Sequence, residues 1–272
     1  MDDFILNQEG AIRLGFFCAV FAVVGLAEHF FARRPASVPR LRRWIDNLGV
    51  FAISSGFVRL ALPMGEVAFA GWVAQRGWGA LNQLDWPSWL EIALAVLALD
   101  LIIYWQHRLF HAVPLLWRLH LMHHADLDFD LTTGSRFHPI EILLSACIKL
   151  GAIALLGPPA LAVLIFAVLL NVCAVFNHSN WRLPESLDRR LRLLLVTPDM
   201  HRVHHSSRVE ETNSNFGFNM PWWDRLFGSY RAQPALGHQD MQIGLAPLRD
   251  PKRLTLPWML VLPFLRIRAR ET

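Results

Sequence analysis

The sequence predicts an all-α fold: an integral membrane helical bundle of about three membrane helices plus a helical hairpin, with clustered histidines on its cytoplasmic face. Three observations predict it. Of 272 residues, 54% are hydrophobic and 18% charged, and the mean hydropathy is +0.32, more apolar than an ordinary soluble domain. Apolar segments recur near the roughly 20 residues needed to cross a bilayer core. Ten of the twelve histidines fall between positions 107 and 205, mostly three or four residues apart, the spacing that shares one helical face.

The first membrane helix is expected over residues 12–31, stopped by Arg33, Arg34 and Pro35. A second begins near Asn47 and runs toward Pro63, with Arg59 facing the protein interior or snorkelling. Residues 71–86, rich in tryptophan and glycine, read as interfacial, where Trp72, Trp78 and Trp86, with Trp89 just beyond, suit the headgroup level. The third helix starts at Ser88, where Ser88 and Glu91 form a capping box. Nineteen residues separate Ser88 from His107, about 28 Å at about 1.5 Å per residue, so His107 emerges at the opposite interface. Residues 140–156 and 160–175, parted by Gly157-Pro158-Pro159, form the hairpin. Both of its ends return to one side, bringing His138 and His178 beside the other histidines.

No repeat or low-complexity linker divides the chain, so residues 1–272 read as one domain. Asp2 and Asp3 stand where a signal peptide would carry basic residues, so the first apolar segment is expected to be retained. Cys18, Cys147 and Cys173 form no CxxC and read as packing residues. Arg33, Arg34, Arg40, Arg42 and Arg43 follow the first helix, and most remaining arginines follow the third. The histidine face is therefore expected to be cytoplasmic. The net charge of +4 is read as positive-inside bias and attraction to anionic headgroups, with no nucleic acid as partner.

His107 with His111, His120 with His123 and His124, and His201 with His204 and His205 make three convergent sets, to which His138 and His178 add. A catalytic zinc uses three protein ligands and a structural one four, so the count fits two metals. Spacing alone leaves zinc, iron, copper and nickel open. Asp100 lies on one helical stripe with Tyr104, His107 and His111; it is expected to accept an imidazole N–H, or else to partner Arg59 or a buried hydroxyl. Asp126, Asp128, Asp130, Glu141 and Asp224 read as partners that fix imidazole tautomers. Asp100 and Asp224 are the candidate catalytic carboxylates.

His107-Arg108 with His111, His120 with His123-His124, Asn177-His178-Ser179-Asn180, His201-Arg202-Val203-His204-His205, Asn215-Phe216-Gly217 and Trp222-Trp223-Asp224-Arg225-Leu226-Phe227-Gly228-Ser229-Tyr230 together resemble the fatty acid hydroxylase / sterol desaturase superfamily of membrane-bound histidine-rich di-iron oxygenases. The resemblance covers roughly Asp100 to Tyr230, within a catalytic region of about 96–231. It implies a non-haem centre of two iron ions per chain, held almost wholly by histidine under a cytoplasmic helical cap, with His107, His111, His120, His123, His124, His138, His178, His201, His204 and His205 as ligands. Two departures bear on this. Some relatives carry a further histidine where Arg182 stands, so His138 is a substitute ligand or the count falls. No fused cytochrome b5 segment is present, so electrons are expected from an external donor such as a ferredoxin or cytochrome.

The function implied by the resemblance is hydroxylation or desaturation of a lipid-like substrate with O2, in a bacterial inner membrane with the site on the cytoplasmic side. Two alternatives stay open. One is cleavage of ether lipids, since Leu131-Thr132-Thr133 is similar to the segment found in alkylglycerol monooxygenases. The other is a non-redox zinc membrane hydrolase or metal-binding protein.

Overall fold

A computed structural model describes residues 2–265. It is all helical: α1 (Asp2–Asn7), α2 (Glu9–Phe30), α3 (Arg40–Ala61), α4 (Glu66–Gln75), α5 (Ser88–Ala112), α6 (Pro114–His124), α7 (Pro139–Leu156), α8 (Ala160–Asn177), α9 (Glu185–Leu191), α10 (Pro198–His204), α11 (Val209–Thr212), α12 (Trp222–Leu226), α13 (Gly237–Asp240) and α14 (Leu256–Val261). Among the described residues only two isolated β-bridges occur.

Among the described residues five segments are long and apolar enough to cross a membrane: α2, α3 with α4, α5, α7 and α8. Their outer faces carry exposed leucines and phenylalanines, among them Leu14 at 63% and Leu60 at 86% exposure, as expected of helices that face acyl chains. This is a membrane protein. Gly157 ends α7 in the left-handed conformation (φ 64°), which glycine adopts without strain, and Pro159 precedes α8. The hairpin forms as expected, and α4 packs into it through Val67, Ala70 and Val73.

Three local expectations change. Residues 71–75, expected within an interfacial stretch, instead end a helix over 66–75 that packs one face on the hairpin, because Val67, Ala70 and Val73 are small or β-branched and fit the α7–α8 groove; Trp78 and Trp86 beyond it stay exposed. Helix α5 begins at Ser88, but Ser88 is its first helical residue and Pro87 its cap, without a side-chain capping bond. The second helix starts seven residues earlier than Asn47, at Arg40, because its first turns bury polar side chains on the cap.

Those polar residues fasten the bundle to the cap. Arg43 donates from Nε to Asp126 Oδ1 at 2.8 Å and from Nη1 to Asp130 Oδ2 at 2.7 Å. Asn47 donates to Thr132 Oγ1 at 3.0 Å and accepts from Arg136 Nη1 at 2.9 Å. On α2, Glu28 accepts the backbone N–H of Leu131 at 2.8 Å and of Asn180 at 2.6 Å. One buried clamp thus sets the ends of α2, α3 and α8 and the 125–136 loop at a common level.

Candidate metal centre

Each histidine cluster sits where a helix leaves the bundle or starts the cap. His107 and His111 occupy the last turns of α5, and Pro114 at the start of α6 breaks the chain direction so that His120, His123 and His124 face back. His178 follows the last residue of α8. Thr197 caps α10 by accepting the Met200 N–H, which winds His201 and His204 onto one face and delivers His205 just after it.

Nine imidazoles converge into two groups. His107, His111, His120, His124 and His204 form one, and His123, His178, His201 and His205 the other; within each group the donor atoms lie within 4.8 Å of one another. Between the groups the rings of His124 and His205 stack at 4.6 Å, 19° apart. All nine but His111 are buried.

Hydrogen bonds on one side of several rings fix what the other side can do. His107 Nδ1 donates to Phe216 O at 2.9 Å, His204 Nδ1 to Ser214 O at 2.7 Å, and His178 Nδ1 to Ala174 O at 2.8 Å. His120 Nδ1 donates to Glu141 Oε1 at 2.6 Å and His111 Nδ1 to Asn213 Oδ1 at 3.3 Å. An imidazole that donates from Nδ1 presents an unprotonated Nε2. The Nε2 atoms of His107 and His204 are buried without a hydrogen-bond partner. Those of His111 and His120 both face His124 Nε2, at 3.1 and 3.2 Å, where one proton could serve only one of them.

A cation resolves this arrangement. Imidazole nitrogens sharing one ion at about 2.0–2.1 Å stand about 3.0–3.4 Å apart. The contacts of His178 Nε2 with His123 Nε2 at 3.2 Å and with His201 Nε2 at 3.0 Å agree with that spacing. Protonation is held off as well. Burial, then the neighbouring imidazoles, push His123, His124, His201, His204 and His205 well below their ordinary value, and burial lowers His178 to about 3. Neutral imidazole is the form that binds metal. The nine donors fit two metal ions.

The remaining candidates have other places. His138 stands apart: it caps α7, accepting the Ile140 N–H at Nδ1, while Nε2 donates to Leu260 O at 3.1 Å. Glu141 does orient an imidazole, and its spacing three residues into α7 is what aims it at His120. Asp100 Oδ2 accepts from Trp223 Nε1 at 2.8 Å, so its partner is neither an imidazole nor Arg59; nothing in the spacing of α5 signals a residue 123 positions away. Asp224 accepts the N–H groups of Phe216 and Gly217, each at 2.8 Å, and Ser229 Oγ at 2.7 Å. It therefore holds the loop whose Phe216 carbonyl receives His107. Asp126 and Asp130 belong to the Arg43 clamp, and Asp128 binds Ser37 and Val38. Burial alone would raise Asp126, but Arg43 and Arg136 hold it at about 2.

The carbonyls of Ala174, Ser214 and Phe216 went unforeseen, because a backbone acceptor leaves no mark in the sequence. The aromatic packing of Trp117 on His111 (4.8 Å) and of Phe137 on His123 (4.3 Å) was also missed. Cys18, Cys147 and Cys173 are free and supply no ligand.

The fatty acid hydroxylase family model matches residues 92–229. An ornithine lipid hydroxylase, OlsE, of Rhizobium tropici is 26% identical over 236 residues, covering 84% of this chain and 69% of its own length. Human alkylglycerol monooxygenase is 32% identical over 155 residues, 56% of this chain and 33% of that protein. Methylsterol monooxygenase 2-2 of Arabidopsis thaliana is 30% identical over 159 residues, 57% of this chain and 59% of that protein. No solved structure matches.

Proposed function

Since the chain belongs to the fatty acid hydroxylase family, we propose that it is a membrane-bound non-haem di-iron oxygenase acting on a lipid-like substrate. One observation carries the reading: nine inward-facing imidazoles in two groups at one end of a membrane bundle. His107, His111, His120, His124 and His204 would hold one iron and His123, His178, His201 and His205 the other. When bound, such iron supplies the redox chemistry that activates O2 against an unactivated C–H bond. The overall balance for hydroxylation is R–H plus O2, two electrons and two protons giving R–OH and water; desaturation of the same substrate gives an alkene and two waters. The electrons come from an external carrier such as a ferredoxin or cytochrome.

The chain's own residues prepare the centre. Carbonyl and carboxylate acceptors lock the tautomers, and the rings of Phe110, Phe129, Phe137 and Phe216 line the imidazoles and keep water from them. Because all nine ligands lie at one end of the spans, a substrate arrives from the bilayer side without leaving the membrane. The arginines on that end support a cytoplasmic site, in a bacterial inner membrane. Ether-lipid cleavage is a second reading, favoured by the alkylglycerol monooxygenase of humans at 32% identity. The Thr132–Thr133 segment does not discriminate, since both hydroxyls serve the Asp130 and Arg43 clamp.

The test supplies labelled O2 and a reductant to the reconstituted protein with extracted membrane lipids. One labelled oxygen in a lipid product is expected, and an unlabelled alkene would mean desaturation. A labelled aldehyde released from an alkylglycerol would favour ether cleavage. Turnover that needs no O2 would remove the oxygenase reading and favour a zinc hydrolase.

A further inference from the structure

The segment 187–195 and helix α12 share a surface that the metal centre does not use. Two hydrogen bonds join them: Trp222 Nε1 donates to Leu193 O at 2.6 Å, and Arg225 Nη2 to Arg192 O at 3.1 Å. On this surface Leu193 is 58%, Leu194 61% and Leu226 69% exposed, with Trp222 beside them at 40%. Exposed Arg189, Arg190 and Arg225 border the leucines, and Glu185 stands at the far end of α9. Monomeric surfaces in water rarely leave such side chains together uncovered.

Two further observations fix the height of this surface. The loop leading into α12 packs Phe218 and Met220 into the apolar core formed by the membrane helices, and Trp223 reaches Asp100, seven residues below His107 on α5. Beyond α12, the ring of Phe227 lies 4.9 Å from Trp105, a residue of α5 that is 42% exposed on the bundle's outer face. The leucine patch is thus continuous with the lipid-facing side of α5. Apolar side chains at bilayer level, ringed by arginines, match the chemistry of an interfacial anchor.

We propose that the 187–195 segment and α12 rest in the headgroup layer of the leaflet on the histidine side, with Leu193, Leu194, Trp222 and Leu226 among the upper acyl chains and Arg189, Arg190 and Arg225 pairing with anionic lipid phosphates. The anchor draws anionic lipid to the edge of α5 and fixes the cap's height over the membrane. Each arginine near an anionic surface favours it by roughly fivefold.

The full chain, with exposed Cys18 and Cys147 changed to serine, is labelled with an environment-sensitive fluorophore at Leu194→Cys or, separately, Leu226→Cys and placed in phosphatidylcholine discs with or without phosphatidylglycerol. Glu210→Cys, on the exposed α11 turn, is the aqueous control. Brominated lipid is expected to quench both patch probes, iodide to quench them severalfold less than the control, and brominated phosphatidylglycerol to quench more than brominated phosphatidylcholine. That preference should vanish when Arg189, Arg190 and Arg225 are all changed to glutamine. Iodide quenching equal to the control, with no lipid quenching, would overturn the proposal and leave the surface free for an acidic protein. Lipid quenching with no headgroup preference would overturn the role of the arginines.

Discussion

His120 shows how a single acceptor decides what an imidazole can do. Its Nδ1 is held by Glu141 at 2.6 Å, so Nε2 is the nitrogen available to the proposed metal. Removing such a partner typically costs about 10–100-fold in metal affinity, and Glu141→Gln should lose affinity in that range in a chelator competition, with the helical content unchanged. Unaltered affinity would leave Glu141 as a packing residue. Outside the centre, His238 is buried beside Asp199, 3.8 Å away, and burial lowers it from 6.5 to about 4. Between those values the unfolded chain binds the proton and the folded chain does not. Stability is therefore intact above pH 6.5 and falls as pH drops toward 4. The shift is worth at most about 3 kcal/mol at about 1.36 kcal/mol per unit. Thermal unfolding of the wild type should fall more steeply over that window than that of His238→Gln, and parallel curves would refute the assignment. At this scale the three histidine clusters were legible because spacing of three and four encodes a shared helical face. His138 was not: its place beside the cluster followed from the hairpin, but the N-cap geometry that turns its ring toward Leu260 depends on tertiary packing.

The elements show why the histidines meet. Helices α5 and α6 are separated by Val113 alone, with Pro114 opening α6, and α8 and α10 converge on the same point with the 125–136 loop seated on the bundle. The Arg43 clamp seats it. Arg43→Ala would leave buried Asp130 without its ion-pair partner and Asp126 with Arg136 alone, a loss of about 3–5 kcal/mol, read as a lowered unfolding temperature with parallel loss of bound metal. A variant with wild-type stability would show that the loop is held by other contacts. Apolar length made the spans legible in the sequence, and Gly157-Pro158-Pro159 made the hairpin legible. The seating of one face of α4 on the hairpin was not, because tryptophan and glycine content over 71–86 describes a segment's affinity for an interface and says nothing about a groove between two other helices. The aspartates at 126 and 130 were likewise assigned to imidazoles for want of any sign that Arg43, more than 80 positions earlier, would reach them.

For the whole molecule, the asymmetric arginines support the proposed orientation, with the nine-histidine centre at the cytoplasmic face. Cysteines introduced at Arg40 and Gln75 should divide accordingly: an impermeant reagent applied to intact cells labels position 75 and spares position 40. The reverse pattern would invert the topology. The C-terminal arginines that shared in this expectation lie outside the described residues. The two groups of five and four imidazoles make a claim that does not depend on topology or on the identity of the lipid. It is tested most directly by counting metal per chain after anaerobic purification. Two irons per wild-type chain, falling toward one in His204→Ala and in His123→Ala, is the expected result. A single ion per wild-type chain, or full turnover with zinc and no iron, would contradict it.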